Sequence, residues 1–415
     1  MSSKNFSHLI HFNFTILLSI TLAFSACSNP EEPEIEKPFD EVISYNAVIK
    51  VGKDKEYKTI AAAATAVKDS VLIEIDAGTY SGDVAFWSQK EIYIRAVGGE
   101  VILDADGKSY GGKAIWEIDG GRIKVEGLTF QNAKVADRNG AGIKLTRGDL
   151  IVDNCKFLHN EMGILTGNAG GTLLIRNSEF GYGGYGDGYS HNLYVGYVDK
   201  FVVTGCYFHH ARNGHLLKSR AKLSIVQYCR LTDENDDRSQ ASYELDFPSG
   251  GINIVVGNII QQSINSPNSA IIDFAGEVND YWADNVLFLS HNTVVNNKAS
   301  NNSPLVSSNK IPASSIIMVN NLIDNVIVMP TEQFVRVQVG NERFNKDELN
   351  SNYTPKTALF NQLSNKIATD INKYLTTDLI IQNISLIPTE EYKHPCSSTK
   401  LPSMPKIAGA IQRSE

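Results

Sequence analysis

The stretch that decides the fold is VEGLTF at residues 125–130, because variants of it return along the chain at short intervals. Each copy begins and ends with an apolar residue and carries Gly, Asn or another residue at its third position where a turn would fit. The eight copies are VEGLTF (125–130), VDNCKF (152–157), IRNSEF (175–180), VTGCYF (203–208), VQYCRL (226–231), VVGNII (255–260), LSHNTV (289–294) and MVNNLI (318–323). Their third positions are separated by 23 to 34 residues.

A repeat of this length needs a supersecondary unit that stacks on its neighbours. Two amphipathic helices per unit are excluded, because the apolar segments are too short and too rich in β-branched residues. Gly and Asn tolerate the left-handed backbone that a tight corner between two short strands requires. The pattern therefore predicts an all-β solenoid whose coils stack at about 4.8 Å, with like residues above like.

The segment before the repeat predicts a helix and then strands. YKTIAAAATAV at 57–67 is a short alanine-rich helix candidate, followed by the strand candidates VLIEIDAGTY (71–80) and IYIRA (92–96). A helix here would cap the open end of the stack. The stretch resembles the start of pectate-lyase-like β-helix proteins, and the resemblance covers about residues 48–323. It implies a single-stranded right-handed parallel β-helix with an N-terminal capping helix.

Both ends of the chain differ from this central part. Lys4, the mostly apolar residues 9–24 and the small residues before Cys27 have the layout of a signal peptide. The segment FSAC at 24–27 resembles a bacterial lipobox, which implies an exported outer-membrane lipoprotein that touches the membrane only through a lipid on Cys27. An ordinary secretory signal with a chance Cys is the alternative. We therefore divide the chain into a signal peptide (1–26), a flexible tether (27–45), the β-helix (46–330) and a C-terminal extension packed on the solenoid (331–415), with a helix expected within 356–374.

Charge and cysteine content narrow the function. The formal net charge of −8 becomes −9 when Lys4 leaves with the signal, which argues against a nucleic-acid partner. No CxxC pair is present, so a zinc or redox centre is not indicated. Cys155, Cys206 and Cys229 recur at one place in the repeat, which predicts packed core residues and not disulfides.

Four consecutive coils carry polar residues before or within one strand. They read SHNLYVG (190–196), GHLLKSR (214–220), SYELDFP (242–248) and SAIIDFA (269–275). Alternation along a strand then sends one row of side chains outward, and a register shift of one residue would reverse the faces. The predicted outward row is Tyr194, Lys218, Asp246 and Asp273, and Lys144 is expected on the same face. Asn192, Leu216 and Glu244 would lie on one side of this row and Arg220 on the other side. His191 and His215 fall at positions whose side chains should point inward.

Taken one at a time, these residues have ordinary interpretations. Lys218 and Arg220 can be explained as solvated charges on an exposed face. Glu244 and Asp246 can be explained as their ion-pair partners on neighbouring coils. Their concentration in a few coils favours a groove for several sugar units. A metal site at His209, His210 and His215 lacks a firm ligand spacing, and the acidic loop at 233–237 lacks the ordered pattern of a Ca²⁺ loop.

The leading hypothesis is a polysaccharide lyase that acts, as a monomer, on an acidic polysaccharide containing uronate. Elimination needs a cation on the carboxylate, a base and an acid. Lys218 or Arg220 would neutralise, and Lys218, His215 or Tyr194 would move protons. The substrate-binding candidates are Lys144, His191, Asn192, Glu244, Asp246 and Asp273. The resemblance implies Lys or Arg bases, sometimes with Ca²⁺; no other cofactor is expected.

Three alternatives stay open from the sequence. A glycoside hydrolase would use Asp246 with Asp273 or Glu244 as its two carboxylates. A uronate epimerase shares the first proton abstraction with a lyase. A non-catalytic glycan-binding surface protein would expose aromatic platforms, of which Tyr194 is the clear candidate.

Overall fold

The structure is a computed structural model that describes residues 43–298, 302–307, 310–311 and 313–414. The description begins at Ile43, where the larger unit of the chain starts. The predicted signal peptide, the anchor Cys27 and most of the predicted tether lie outside the described residues. None of the described helices combines the length and the apolar character needed to cross a bilayer.

Short strands dominate the described residues, and helices are few. The first strands are β1 (Ala47–Val51), β2 (Val71–Ser81), β3 (Ala85–Trp87), β4 (Glu91–Asp104), β5 (Ala114–Glu126), β6 (Leu128–Gln131), β7 (Ala141–Asp153), β8 (Lys156–Leu158), β9 (Met162–Thr166), β10 (Thr172–Arg176), β11 (Glu179–Gly181), β12 (Leu193–Val195), β13 (Lys200–Thr204), β14 (Tyr207–His209), β15 (Leu217–Ser219) and β16 (Leu223–Gln227). They continue with β17 (Arg230–Thr232), β18 (Leu245–Phe247), β19 (Gly251–Val256), β20 (Ile259–Gln262), β21 (Ile272–Phe274), β22 (Asn285–Ser290), β23 (Thr293–Asn296), β24 (Ser303–Pro304), β25 (Ser315–Val319), β26 (Leu322–Asp324), β27 (Ile327–Val328), β28 (Val335–Val339), β29 (Glu342–Phe344), β30 (Glu390–Lys393) and β31 (Ser397–Lys400). The helices are α1 (Ile60–Ala66), α2 (Thr357–Leu363) and α3 (Thr377–Ile381), with 3-10 turns at Lys346–Glu348 and Asn372–Tyr374.

Twenty-seven of these strands form one sheet that winds into a parallel solenoid of about 10 turns. Each strand pairs with strands one turn before and one turn after it, so three ladders run along the solenoid. Ladder 1 contains β3, the first parts of β5 and β7, β9, β12, β15, β18 and β21. Ladder 2 contains β1, the first parts of β2 and β4, the later parts of β5 and β7, β10, β13, β16, β19, β22, β25 and β28. Ladder 3 contains the ends of β2 and β4, then β6, β8, β11, β14, β17, β20, β23, β26 and β29. The predicted all-β parallel solenoid is confirmed.

The repeat marks the corner between ladders 2 and 3. Its third position always lies between the end of a ladder 2 strand and the start of a ladder 3 strand. The eight residues there have φ between 49° and 78°: Gly127, Asn154, Asn177, Gly205, Tyr228, Gly257, His291 and Asn320. A left-handed residue turns the chain sharply, and Gly and Asn adopt it at least cost. The corner thus explains the residue preference that made the repeat visible.

The last residue of the early copies fills the core. Phe130, Phe157, Phe180 and Phe208 form a column with ring centroids 5.1, 4.7 and 4.8 Å apart. All four rings are buried. Cys155, Cys206 and Cys229 are free and buried, as the repeat predicted. Stacked aromatic rings add specific contacts to the burial of a large apolar area, so this column fixes how successive turns sit on one another.

The predicted N-terminal helix is present as α1. Thr59 begins it by accepting a hydrogen bond from the backbone N–H of Ala62, and the backbone N–H groups of Ile60 and Ala61 donate to the carboxylate of Asp83. Both interactions satisfy groups that a helix start leaves unpaired. Whether α1 serves as the cap of the stack stays a prediction.

The last part of the described chain adds to the solenoid and packs on it. β28 and β29 pair with β25 and β26, so the ladders run past residue 330. The helix expected within 356–374 is α2. Leu375, Leu379 and Leu386 pack on outward apolar residues of ladder 2 such as Ile254, which buries that side of the later turns.

Candidate active site on ladder 1

Ladder 1 places the predicted outward row in register. Tyr194 pairs with Lys218, Lys218 with Asp246, and Asp246 with Asp273, one turn after another. On their inner side Leu217, Leu245 and Ile272 stack in the core. Because neighbouring parallel strands are about 4.8 Å apart, these four side chains are adjacent in space. The alignment made from the sequence therefore has the correct register on these turns.

Lys144 lies further along the same row. It pairs with Leu165, which in turn pairs with Tyr194, so one turn separates Lys144 from the four residues above. Its ammonium donates to Glu117 at 3.0 Å. Lys144 is therefore on the predicted face but does not contact the central group.

At the centre of the row, Asp246 receives two partners on one oxygen. Its Oδ2 is 2.6 Å from the Lys218 Nζ and 3.1 Å from the His215 Nε2. Lys218 is 8% exposed and Asp246 is 2% exposed, so this ion pair is shielded from solvent. Burial by itself would raise the pKa of Asp246, but the charges of His215 and Lys218 outweigh it and hold that pKa below its ordinary value.

Asp273, one turn further, behaves in the opposite way. Burial, and then the charge of Asp246, raise the pKa of Asp273 to about 6, although hydrogen bonding from Ser307 works against the shift. The Ser307 hydroxyl donates to Asp273 Oδ1. The adjacent carboxyls of Asp246 and Asp273 thus have pKa values shifted apart, one below and one above the ordinary range.

Beside the row, Arg220 connects Tyr194 to a loop. Its Nε donates to the Tyr194 hydroxyl at 3.0 Å and its Nη1 donates to the Ser249 hydroxyl at 2.7 Å. The Glu277 carboxylate accepts from Arg220 at 2.9 Å through Oε1 and lies 2.7 Å from it through Oε2. Glu277 Oε1 is also 3.7 Å from the Lys218 Nζ. One carboxylate therefore bridges the two cations of the group.

Glu277 lies on the loop between β21 and β22, and this loop is tied down at two further points. The indole N–H of Trp282 donates to the backbone oxygen of Arg220 at 2.9 Å. The hydroxyl of Tyr197 donates to the backbone oxygen of Asp280 at 2.9 Å. These contacts hold the loop, and with it Glu277, beside Lys218 and Arg220.

Sequence reasoning missed Glu277, Ser249, Tyr243 and Ser307. Tyr243 stacks near His215 with ring centroids 5.1 Å apart, and burial followed by the charges of Asp273 and Asp246 raises its pKa to about 12. None of these four residues belongs to a ladder 1 strand, so strand alternation could not place them. Position is the sequence signal for three of them, since Tyr243 and Ser249 lie two residues from β18 and Glu277 lies three residues after β21. Ser307 lies 33 residues after β21, so its position gave no signal.

The residues before the strands required correction. His215 and His191 were expected at inward parity, but His215 reaches Asp246 on the outward row. His191 accepts a hydrogen bond on Nδ1 from the backbone N–H of His215 at 3.0 Å, and its ring stacks on His215 at 4.4 Å. Both lie before the first strand residue, where alternation no longer applies. Burial, and then the charges of His215 and Lys218, keep the pKa of His191 well below its usual value.

Asn192 and Glu244 do not line a groove. Asn192 is 1% exposed, and its side-chain amide donates to the backbone oxygen of His209 and accepts from the backbone N–H of Gly183. Glu244 is fully buried, and neither carboxylate oxygen has a hydrogen-bond partner among the described residues. Burial, and then the charge of Asp233, raise the pKa of Glu244 well above its usual value. The predicted substrate-binding role of both residues is therefore not supported by their positions.

The metal-site candidates do not come together. His209 and His210 contact each other, whereas His215 joins Asp246. In the acidic loop Asp233 accepts backbone N–H groups of Ala211 and Ala241, and Asp236 is paired with Arg238. Those carboxylates already have partners, so they do not fit a Ca²⁺ site. Within the described ranges, no group of three or more His, Cys, Asp or Glu side chains is arranged to hold a metal ion.

Comparison with known proteins identifies the fold. No protein-family model and no curated protein matches the sequence. Pectate lyase Pel9A superposes with a TM-score of 0.55 at 14% identity, over 90% of this chain and 98% of that one. An alginate lyase from Paenibacillus sp. str. FPU-7 gives 0.42 at 17% identity, over 66% and 97%, and a lacto-N-biosidase from Eubacterium ramulus gives 0.44 at 12% identity, over 72% and 68%. The chain therefore has the parallel β-helix fold of Pel9A, as the resemblance implied, and its chemistry must be argued from its own residues.

Proposed function

We propose that this chain is a polysaccharide lyase that cleaves an acidic, uronate-containing glycan by β-elimination at the ladder 1 row. The observation that carries the proposal is the Glu277 carboxylate, which bridges Arg220 and Lys218. A uronate offers the same carboxylate group on a sugar ring. The two cations therefore meet the first requirement of β-elimination, which is to neutralise the carboxylate beside the carbon that loses a proton.

Glu277 is suited to being replaced by a substrate carboxylate. Its side chain is 51% exposed and comes from a loop, whereas the side chains of Arg220 and Lys218 are 14% and 10% exposed and come from or follow ladder 1 strands. Exchanging one carboxylate for another keeps both cations paired, so the exchange leaves no shielded charge without a partner. A guanidinium also binds a carboxylate through two parallel N–H groups, which fixes the orientation of the sugar ring.

Tyr194 is the group we assign to proton abstraction. Its oxygen receives the Arg220 Nε–H at 3.0 Å, so a negative charge on that oxygen would lie against a guanidinium. In the ionised form, Tyr194 takes the proton from the carbon next to the substrate carboxylate. The electron pair then forms a carbon–carbon double bond, and the bond from the next carbon to the glycosidic oxygen breaks.

Lys218 is better placed to donate a proton than to accept one. Its ammonium lies 2.6 Å from the Asp246 carboxylate in a pair that is shielded from solvent. We therefore assign Lys218 to the leaving glycosidic oxygen, with Asp246 and His215 holding its position. This assignment selects among the roles that the sequence left open for Lys218.

A glycoside hydrolase is the second candidate, because one observation favours it. The carboxyls of Asp246 and Asp273 have pKa values shifted in opposite directions, the pattern expected of an acid and a base. Against it, the Asp246 carboxylate already holds both Lys218 and His215 on one oxygen, in a position that solvent hardly reaches.

The deciding experiment is to incubate the purified protein with uronate polysaccharides such as polygalacturonate, alginate and glucuronan. A lyase produces an unsaturated end that absorbs in the ultraviolet, together with new reducing ends. A hydrolase produces reducing ends without that absorbance, and this result, or no cleavage of any acidic glycan, would overturn the proposal.

Two variants with matched controls test the assigned roles. Tyr194→Phe and Arg220→Ala are each expected to lower kcat at least 100-fold, since a general base contributes about 10²–10⁴ and a group that stabilises developing charge about 10²–10³. The controls are Tyr110→Phe, a tyrosine stacked on Phe86, and Arg147→Ala, an arginine paired with Asp119; neither contacts the row. Full activity of Tyr194→Phe would remove Tyr194 from the mechanism.

A further inference from the structure

We propose a second binding site, for one acidic sugar unit, in a pocket of about 290 Å³ that is separate from the ladder 1 row. The inference deepens the proposed function and rests on it only in taking the ligand to be a uronate. The pocket is lined by His159, Tyr182, His210, Arg212, Asp237, Arg238 and Gln240. Its size is near the lower end of small-molecule sites, which suits one or two sugar rings.

The pocket is built by the loops that lead from ladder 3 into ladder 1. His210 and Arg212 follow β14, and Arg238 and Gln240 lie between β17 and β18. A backbone bridge joins Arg212 to Gln240 across two turns. The same loops continue to His215 and Tyr243 at the edge of the row, so the pocket lies a few residues upstream of the reacting groups on two successive turns.

Aromatic rings form one wall of this pocket. His159 and Tyr182 stack with centroids 4.8 Å apart, and Tyr182 and His210 stack with centroids 4.7 Å apart. The column follows the solenoid axis because all three residues come directly after ladder 3 strands. Rings held in this way offer a rigid apolar surface for the C–H groups of a sugar at little cost in side-chain entropy.

Some of the polar side chains that line the pocket already have a hydrogen-bond or ion-pair partner in the protein, and others have none in the part of the chain that the structure describes. Arg238 donates to Asp236 at 2.7 Å and lies over the Tyr182 ring, and the His210 Nε2 is 3.2 Å from Asp236. In contrast, the side chains of Arg212, Gln240 and Asp237 form no hydrogen bond or ion pair with any described residue. Three different unpaired groups thus face one cavity.

Those three groups together select a uronate over a simple anion or a neutral sugar. A free guanidinium is the preferred partner of a carboxylate, an amide donates to and accepts from hydroxyl groups, and a carboxylate accepts from hydroxyls. A sulfate or a fully ionised phosphate has no hydroxyl group to donate, so it would leave the Asp237 carboxylate without a partner. A sugar carrying one carboxylate and several hydroxyls uses all three.

The test measures binding of uronate oligosaccharides of two to eight units by calorimetry, with neutral and sulfated oligosaccharides as comparison arms. Arg212→Ala is expected to weaken binding of the longer uronate oligosaccharides by roughly 10- to 100-fold, the value of hydrogen bonds to a charged group. Arg212→Lys should restore part of the loss, and Gln240→Ala should weaken binding less. Arg147→Ala is the control with an unchanged affinity.

The binding test of the pocket can succeed or fail independently of the activity test of the proposed lyase. Loss of affinity in Arg212→Ala supports the pocket even if no unsaturated product is ever formed by the wild type. Unchanged affinity in folded Arg212→Ala, checked by circular dichroism, overturns the pocket even if lyase activity is found. Absence of any uronate binding, or an equal loss for sulfated oligosaccharides, also overturns it.

Discussion

Lys218 and Asp246 lie on neighbouring rungs of ladder 1, and their Nζ and Oδ2 atoms are 2.6 Å apart in a position that solvent hardly reaches. Burying this pair costs free energy because both groups lose hydration, which their mutual attraction and the neighbouring His215 and Glu277 must offset. A buried ion pair is not required to hold neighbouring rungs together, because replacing such a pair by apolar residues is often neutral or stabilising. Its presence on the outward side favours a role in function for this cluster of charged side chains.

Removing one member of the pair should therefore lower the free energy of unfolding more than replacing both members by apolar residues. We expect Asp246→Ala to lower the free energy of unfolding by about 3–5 kcal/mol, since it leaves a buried ammonium without its main partner. The double variant Lys218→Met with Asp246→Leu should lose less. Urea unfolding of the three proteins gives the values, and breaking the exposed pair Arg147–Asp119 is the control, which should change the free energy of unfolding much less. Equal losses in the single and double variants would contradict the argument.

Asp273 should make stability fall as the pH rises. Because its folded pKa of about 6 is above the ordinary 3.8, Asp273 favours folding most at low pH, and that contribution is lost as the pH rises through about 6. The difference between these pKa values corresponds to about 3 kcal/mol. Asp273→Asn should therefore gain up to that amount relative to the wild type between pH 4 and pH 7.5, measured by urea unfolding.

The control for this pH effect is Asp284→Asn, which changes an exposed carboxylate between β21 and β22. Its stability should follow that of the wild type across the same pH range. A constant difference between Asp273→Asn and the wild type at all pH values would show that Asp273 titrates near its ordinary pKa.

The sequence was sufficient for features that depend on the repeat. Corner residues such as Asn154 need a left-handed backbone, and only a few residue types adopt it easily, so the corner leaves a visible mark. The outward row followed because alternation along a strand is geometric and register carries from one turn to the next. Tyr194 and Lys218 were therefore placed correctly without coordinates.

The sequence was insufficient where the chain leaves the strands. Asn192 precedes the first residue of β12, so alternation does not determine its direction, and its amide instead satisfies backbone groups inside the corner. Glu277 reaches Arg220 across 57 residues through the path of a loop. No periodic pattern specifies such a path, and the same reason explains why the pocket beside Arg212 left no motif.

Asn258, Asn292 and Asn321 form a column of hydrogen-bonded side chains along the later turns. Truncating the middle member, Asn292, should lower the free energy of unfolding substantially. Asn292 accepts from the backbone N–H of Asn258 and donates to the backbone oxygen of Val255 and to Asn321 Oδ1. Asn292→Ala leaves these buried groups without partners, at about 1–3 kcal/mol each. We expect a loss of at least about 3 kcal/mol by urea unfolding. Asn361→Ala, an exposed residue of α2, should change by less than about 0.5 kcal/mol.

Glu277 provides the sharpest test of how the row binds its ligand. If its carboxylate occupies the position of the substrate carboxylate, Glu277→Gln removes a competitor and leaves Arg220 and Lys218 more available. KM for a uronate polysaccharide should then fall several-fold, while kcat changes little because Glu277 takes part in no proton transfer. Asp284→Asn, on the same loop, should change neither constant. If Glu277 instead positions Arg220, kcat will fall and KM will not improve.

The pKa of Glu277 in the wild type is lowered, chiefly by hydrogen bonding to Arg220. Acid protonates this carboxylate and weakens its competition with the substrate. The advantage of Glu277→Gln over the wild type should therefore shrink as the pH falls.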